Sequence, residues 1–228
     1  MSGVTKDQYS EEILEVVALA APFGGIVAGG AARWLWMAEN RVPLDPKLAP
    51  GDIDVFMLEG GNRVRLYSAL HDAGWVLQRR RESTVTFKRA DFLDVQVVRA
   101  NTFAGQRYSP WYSVSAIVKQ FAFTVEMFWV NPPGEALGYS SAAAADLKTR
   151  TLRVNHVLDP IRVAWRVGKY TAKGFTVTPS ALAGVFEVYG AASTAQRAIW
   201  HERDLRAERE GVAYDVGLDR DALAGAGA

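Results

Sequence analysis

Gly29-Gly30-Ala31-Ala32-Arg33, followed further along by Asp52-Ile53-Asp54-Val55, is the pair of stretches on which the fold of this chain turns. Upstream, Phe23-Gly24-Gly25-Ile26-Val27-Ala28 is a short apolar run of strand type. The glycine pair breaks it, and Ala31-Ala32-Arg33-Trp34-Leu35-Trp36-Met37-Ala38 has the composition of a helix. A helix entered from a glycine turn directs free backbone N–H groups and the positive end of its dipole outward, an arrangement that suits a phosphate. Arg33, in the first turn, adds a bidentate hold on the same anion. An ordinary strand-to-helix turn with a surface arginine has the same pattern, so the aspartates must decide.

Residues two apart on a strand share a side, so Asp52 and Asp54 project together while Ile53 and Val55 face the other way. Two carboxylates side by side repel unless something neutralises them. A hard divalent cation does so, and Mg²⁺ binds through one or two carboxylates plus substrate phosphates. A third acid, Asp94, lies on the strand-like run Phe92-Leu93-Asp94-Val95-Gln96-Val97-Val98-Arg99, sharing a face with Gln96 and Val98. A carboxylate in an apolar strand is costly unless paired or metal-bound, so Asp94 is the candidate third ligand.

Composition sets the frame. Half of the 228 residues are hydrophobic (49%) and 22% are charged, which gives a chain with a full core in one large or two small domains. The formal net charge of +1 excludes an overall basic field, so any nucleic-acid contact must be local. With no cysteine there is neither a disulfide framework nor a thiolate zinc site, and a cytoplasmic setting is expected. No signal peptide or membrane anchor is expected from the polar start and the short apolar runs.

Along the chain, Ser10-Glu11-Glu12 followed by Ile13, Leu14, Val16, Val17 and Leu19 predicts a capped helix with acids in its first turn. A proline-rich loop over 41–51 leads into the aspartate strand, and a helix is expected over 62–73. Strands are expected at Trp75-Val76-Leu77 and Thr84-Val85-Thr86-Phe87, around a basic turn Arg79-Arg80-Arg81. The loop over 105–112 receives no role, although its aromatics and Arg107 have a composition that can stack a base. A last strong strand is expected over 121–130, closed by Asn131-Pro132-Pro133-Gly134. A short helix over 140–146 follows, then helices over 159–172, 179–189 and 193–210. The expected organisation is an α+β domain over 1–150, a helical domain over 151–216 and a frayed tail over 217–228.

These segments, taken in order, resemble the head and neck of the class II tRNA nucleotidyltransferases and bacterial poly(A) polymerases, within the DNA polymerase β-like superfamily. The likeness rests on the glycine-arginine turn and the paired aspartates, with Asp146-Leu147-Lys148-Thr149-Arg150-Thr151-Leu152-Arg153 resembling the close of the head. Asp159-Pro160-Ile161-Arg162-Val163-Ala164-Trp165-Arg166-Val167-Gly168-Lys169-Tyr170, with Gly174-Phe175, resembles the first neck helix. The resemblance implies a polymerase-β-like head with a mixed sheet, followed by a helical neck. It implies transfer of a nucleotidyl group from a nucleoside triphosphate to a hydroxyl, with Mg²⁺ or Mn²⁺ as cofactor, pyrophosphate as leaving group and an RNA 3′ end as acceptor. Asp52 and Asp54 would hold the metal, Gly29, Gly30 and Arg33 the triphosphate, and Asp159, Arg162 and Arg166 the sugar and base. Transfer to a protein or small molecule, or an inert nucleotide-binding module, are the alternatives. The chain departs from the family pattern at Trp34, where the family has an acid, at Ala122, where it has an aspartate, and at Glu126, where it has an asparagine.

Overall fold

The computed structural model describes residues 6–80, 84–98, 111–131 and 137–209. Two compact units form, one from Met1–Phe121 with Val125–Ala145 and the other from Ala122–Thr124 with Asp146–Ala228. The expected tail over 217–228 lies outside the described residues, as do residues 101–110 of the loop and 132–134 of the turn named above.

The first unit is built on a five-stranded sheet. In chain order its elements are α1 (Lys6–Ala20), β1 (Gly25–Val27), α2 (Gly30–Glu39), β2 (Asp52–Met57), α3 (Arg63–Asp72), β3 (Val76–Arg80), β4 (Thr84–Lys88), β5 (Asp94–Val98), α4 (Val114–Val118), β6 (Phe128–Trp129) and β7 (Gly138–Tyr139). The strand order is β1-β2-β5-β4-β3, with β2 and β5 parallel and every other neighbour antiparallel. This is the mixed sheet of an α+β fold.

Alternation sorts the two faces. Ile53, Val55, Val85, Phe87, Val95 and Val97 are buried on one of them, the side contacted by α1 and α3. The other face divides. At one end Phe56 and Val98 pack with Ala28, Trp111 and Ile117 in a buried apolar cluster, edged by Phe121 and Trp129. At the other end stand Asp52, Asp54, Asp94, Gln96 and Thr86, all partly exposed.

Three expectations change on this scaffold. α1 begins at Lys6, so Ser10 lies inside it and does not cap it. The acids behind Ser10 act as tethers: buried Glu12 accepts from the Leu93 amide at 2.9 Å, and Glu15 takes Arg89 through both oxygens at 2.8 and 2.6 Å. The Arg89 guanidinium lies 3.6 Å from the Trp75 ring centroid and 3.5 Å from that of Phe92, which fixes the turn between β4 and β5. Arg79 and Arg80 are not in a turn but on β3, the edge strand, where every residue is exposed; charge on an edge discourages pairing with another chain.

The expected long strand over 121–130 is the third. It is broken into an isolated bridge at Phe123, a 3-10 turn at Thr124–Glu126 and the two residues of β6. A continuous apolar run presents no period, so it marks burial without marking strand. Ala122, Phe123, Thr124, Val125 and Glu126 are indeed all buried. β6 and β7 then meet as a two-stranded pair in which Gly138 faces Trp129. A Cβ on Gly138 would overlap the Trp129 indole, so only glycine fits there. The five-residue α4, capped by the Ser113 hydroxyl, was not anticipated.

The second unit follows α5 (Ser141–Thr149), inside which the division between the units falls. It comprises β8 (Thr151–Leu152), α6 (Pro160–Ala172), β9 (Thr176–Val177), α7 (Pro179–Ala191) and α8 (Thr194–Arg209), with β8 and β9 a short parallel pair among the helices. α6 starts as the sequence predicts, with Asp159 as N-cap accepting from the Arg162 amide and Pro160 in the first turn. Residues Ala122–Thr124 are part of this core. Phe123, fully buried, meets Tyr170 edge-to-face at 5.4 Å, and Tyr170 meets Phe175 at 5.4 Å. Thr124 donates its hydroxyl to buried Asp146, whose other oxygen accepts from Arg153 at 2.9 Å. Among the described residues no helix is long and apolar enough to cross a membrane.

Candidate functional site

β1 runs antiparallel to β2, so the end of β1 lies beside the beginning of β2. Val27 pairs with Val55, and the Ala28 amide donates to the Asp54 carbonyl at 3.2 Å. The glycine turn therefore leaves the sheet next to the two aspartates. Neighbouring strands are about 4.8 Å apart, so the turn and the acids border the same corner of the sheet.

At that turn Gly29 has φ 85° and ψ −134°, a backbone setting that a residue with a Cβ rarely adopts. A Cβ placed on Gly29 would meet no atom within 4 Å, so the glycine answers a backbone requirement and the space above it is open. Its own amide is used by the Phe128 carbonyl at 2.9 Å. The donors left for an anion are those of the first turn of α2, which have no intrahelical acceptor.

Asp52 and Asp54 sit as the alternation requires, partly exposed on one face, with Ile53 and Val55 fully buried on the other. Asp52 is in register with Asp94, and Asp54 with Gln96, across the parallel β2–β5 pair. Gln96 donates its Nε2 to Asp52 Oδ2 at 2.5 Å, which orients that carboxylate. Asp94 stands at the start of its strand, not in the middle, and Lys88 Nζ approaches its Oδ2 at 3.4 Å. Gln96 and Lys88 thus join the polar corner, and sequence reasoning gave neither a role. The strand alternation alone carried the signal for Gln96, because it put that side chain on the acids' face.

The oxygen donors of Asp52 and Asp54 are of the class that a hard divalent cation takes. Among the described residues no group of three or more His, Cys, Asp or Glu is arranged as a metal-binding cluster. The pair therefore fits a metal that completes its shell with substrate oxygens and water, the mode typical of Mg²⁺.

Arg33 takes a different place from the one its position in the first turn suggested. It is 2% exposed, and its Nη1 donates to the Val125 carbonyl at 3.3 Å. The reason is that α2 is buried from Ala31 to Met37, so its first turn points inward as well. Trp34, at the position of the family's acid, is buried against Tyr9 at 5.7 Å in an edge-to-face contact.

Asp159, Arg162 and Arg166 belong to the second unit. Asp159 is buried at the α6 cap, Arg162 is half-buried one turn on, and the exposed Arg166 carries its guanidinium 5.9 Å from the Phe123 ring centroid.

No protein-family model matches the sequence, and no curated protein does. Solved structures do. The chain is similar to a CCA-adding enzyme in complex with CTP, with a TM-score of 0.56 and 18% identity over 90% of this chain and 51% of that one. It is similar to the Thermotoga maritima CCA-adding enzyme complexed with tRNA, with a TM-score of 0.54 and 18% identity over 81% of this chain and 45% of that one. A CCA-adding enzyme in complex with ATP matches with a TM-score of 0.54 and 17% identity over 75% of this chain and 41% of that one. The chain spans about half the length of the solved proteins it matches. At this identity the likeness establishes architecture: the chain has the α+β fold with a helical second part that is found in the CCA-adding nucleotidyltransferases.

Proposed function

We propose that the chain is a divalent-metal-dependent nucleotidyltransferase that moves a nucleoside monophosphate from a triphosphate to the 3′ hydroxyl of an RNA. The observation that carries this reading is the bond from the Ala28 amide to the Asp54 carbonyl, which brings the glycine turn beside the paired aspartates. One triphosphate can then meet both. The similar solved structures, described with CTP, with ATP and with tRNA, support the same assignment.

In this reading Asp52 and Asp54 hold Mg²⁺, and Asp94, in register beside Asp52, is the third oxygen donor once Lys88 yields it. The metal lowers the pKa of the attacking hydroxyl and offsets charge developing on the phosphoryl oxygens. The first-turn amides of α2 bind phosphate oxygens, and Gly29 leaves room for their approach. Arg33 acts from behind, by holding the Val125 carbonyl against the start of α2. Gln96 keeps the Asp52 carboxylate turned to the open face. Asp159, Arg162 and Arg166 contact the sugar and base. The acceptor oxygen bonds to the α-phosphorus as the bond to the bridging oxygen breaks, and pyrophosphate leaves with that electron pair.

The test is incubation with labelled nucleoside triphosphates, Mg²⁺ and total RNA. Label is expected in RNA and lost in Asp52→Ala and Asp54→Ala; equal labelling by those variants defeats the assignment. A second reading, a nucleotide-binding module without turnover, is favoured by Ala122, which offers no carboxylate. Calorimetric binding of triphosphate with no incorporation into RNA, protein or small acceptors would select it.

A further inference from the structure

α6 is a charged helix in a nearly neutral chain. From Pro160 to Lys173 it carries Arg162, Arg166, Lys169 and the cap residue Lys173 without a single acid, whereas the whole protein has a net charge of +1. At 100° per residue these four positions fall within an arc of about 60°, and over eleven residues they extend about 16 Å along the axis. The stripe continues beyond the helix: Arg150 donates to the Lys173 carbonyl at 3.4 Å and stands 5.3 Å from the Phe175 ring. Beside it lies Trp165, 40% exposed, one turn after Arg162 and one turn before Lys169.

Helix electrostatics explain only half of the stripe. Lys169 and Lys173 complement the negative C-terminal end of the dipole, but Arg162 stands in the first turn, where the dipole disfavours a cation. Cations kept along the full length answer to something outside the helix. A membrane surface does not fit, because the apolar side of α6 (Pro160, Val163, Tyr170) is already buried in its own unit. The three phosphates of a nucleotide are too few: at roughly 3.4 Å per phosphate in a stacked strand, the stripe faces about five.

We propose that this face of α6 is a binding track for a single-stranded nucleic acid, with Arg162, Arg166, Lys169 and Lys173 following the phosphodiester backbone and Trp165 stacking a base. A line of cations flanked by an exposed indole is the combination that single strands recognise. The proposal extends the transferase reading by giving the acceptor strand a place on the second unit, and it can be tested without turnover.

The probe is a fluorescein-labelled single-stranded RNA oligonucleotide, titrated with the full chain by anisotropy at several salt concentrations, without metal or nucleotide. Calorimetric binding of Mg²⁺ and CTP is measured on the same samples. Lys169→Gln/Lys173→Gln is expected to reduce the steepness of log affinity against log salt by about 1.4, or 0.7 per lost phosphate contact. Trp165→Ala is expected to weaken binding about tenfold at unchanged slope. CTP binding should stay at the parent's level in both. The track is refuted if these variants bind RNA with the parent's affinity and slope, or if polyglutamate competes as well as RNA does. RNA bound through α6 with no metal-dependent CTP binding would overturn the transferase reading alone. CTP bound with no RNA affinity would overturn the track alone.

Discussion

The two ends of one sheet face carry opposite chemistry on the same strands. β2 begins with Asp52 and Asp54 half-exposed and ends with Phe56 and Met57 buried; β5 begins with Asp94 and ends with Val98. Phe56 is closed over by Trp111 at 5.4 Å and Phe121 at 5.5 Å, whereas the acids keep access to solvent. The difference teaches how a small sheet tolerates a cluster of carboxylates. One end supplies the burial that holds the strands, which leaves the other end free to keep its charges hydrated. A stranded charge under the aromatic cluster would cost several kcal/mol.

The largest effect should come from the acid end and touch activity alone. Asp54→Asn is expected to lower nucleotidyl transfer by about 10³-fold or more, about 4 kcal/mol of transition-state stabilisation. Its thermal midpoint should stay at or slightly above the parent's, because a like-charge pair is relieved; incorporation kinetics and a melting curve read both halves. Phe56→Ala should do the reverse. Emptying that site is expected to cost about 3–5 kcal/mol of stability, measurable by urea unfolding. Any transfer activity that survives in folded material should retain its metal dependence. If Phe56→Ala spares stability, or Asp54→Asn unfolds the chain, the division between the two ends does not hold.

Two smaller effects sharpen the contrast. Gly138→Ala drives a methyl into the Trp129 indole and is expected to destabilise by about 1–3 kcal/mol, read by thermal melting. Lys88→Gln removes an exposed ion pair to Asp94, so its effect on stability should stay under about 1 kcal/mol. Freed from Lys88, Asp94 should raise Mg²⁺ affinity a few-fold by calorimetry. Unchanged metal affinity would take Asp94 out of the ligand set.

Much of this corner could be read from residue order alone, for a definite reason. Alternation on a half-buried strand is strict, so Asp52, Asp54, Asp94 and Gln96 had to share a face once β2 and β5 were recognised. Which strands neighbour each other is not a local property, and the register that sets Asp52 beside Asp94 became known only from the fold. The segment around Phe123 escaped for a similar reason: its path is set by Thr124 bonding Asp146 and Arg153, both distant in sequence. Arg33 was legible as a first-turn residue but not as a buried one, because the side of α2 that packs inward depends on what covers it. The cap of α6 was legible to the residue, since Asp159 and Pro160 act locally.

The central claim is that the glycine turn and the paired aspartates form one site for a metal-bound triphosphate, and calorimetric titration with CTP or ATP, with and without Mg²⁺, tests it most directly. The account predicts binding by the parent that is strengthened by Mg²⁺, and loss of that Mg²⁺-dependent gain in Asp52→Asn/Asp54→Asn while the fold persists. Binding by the double variant with the parent's affinity and metal dependence would contradict it.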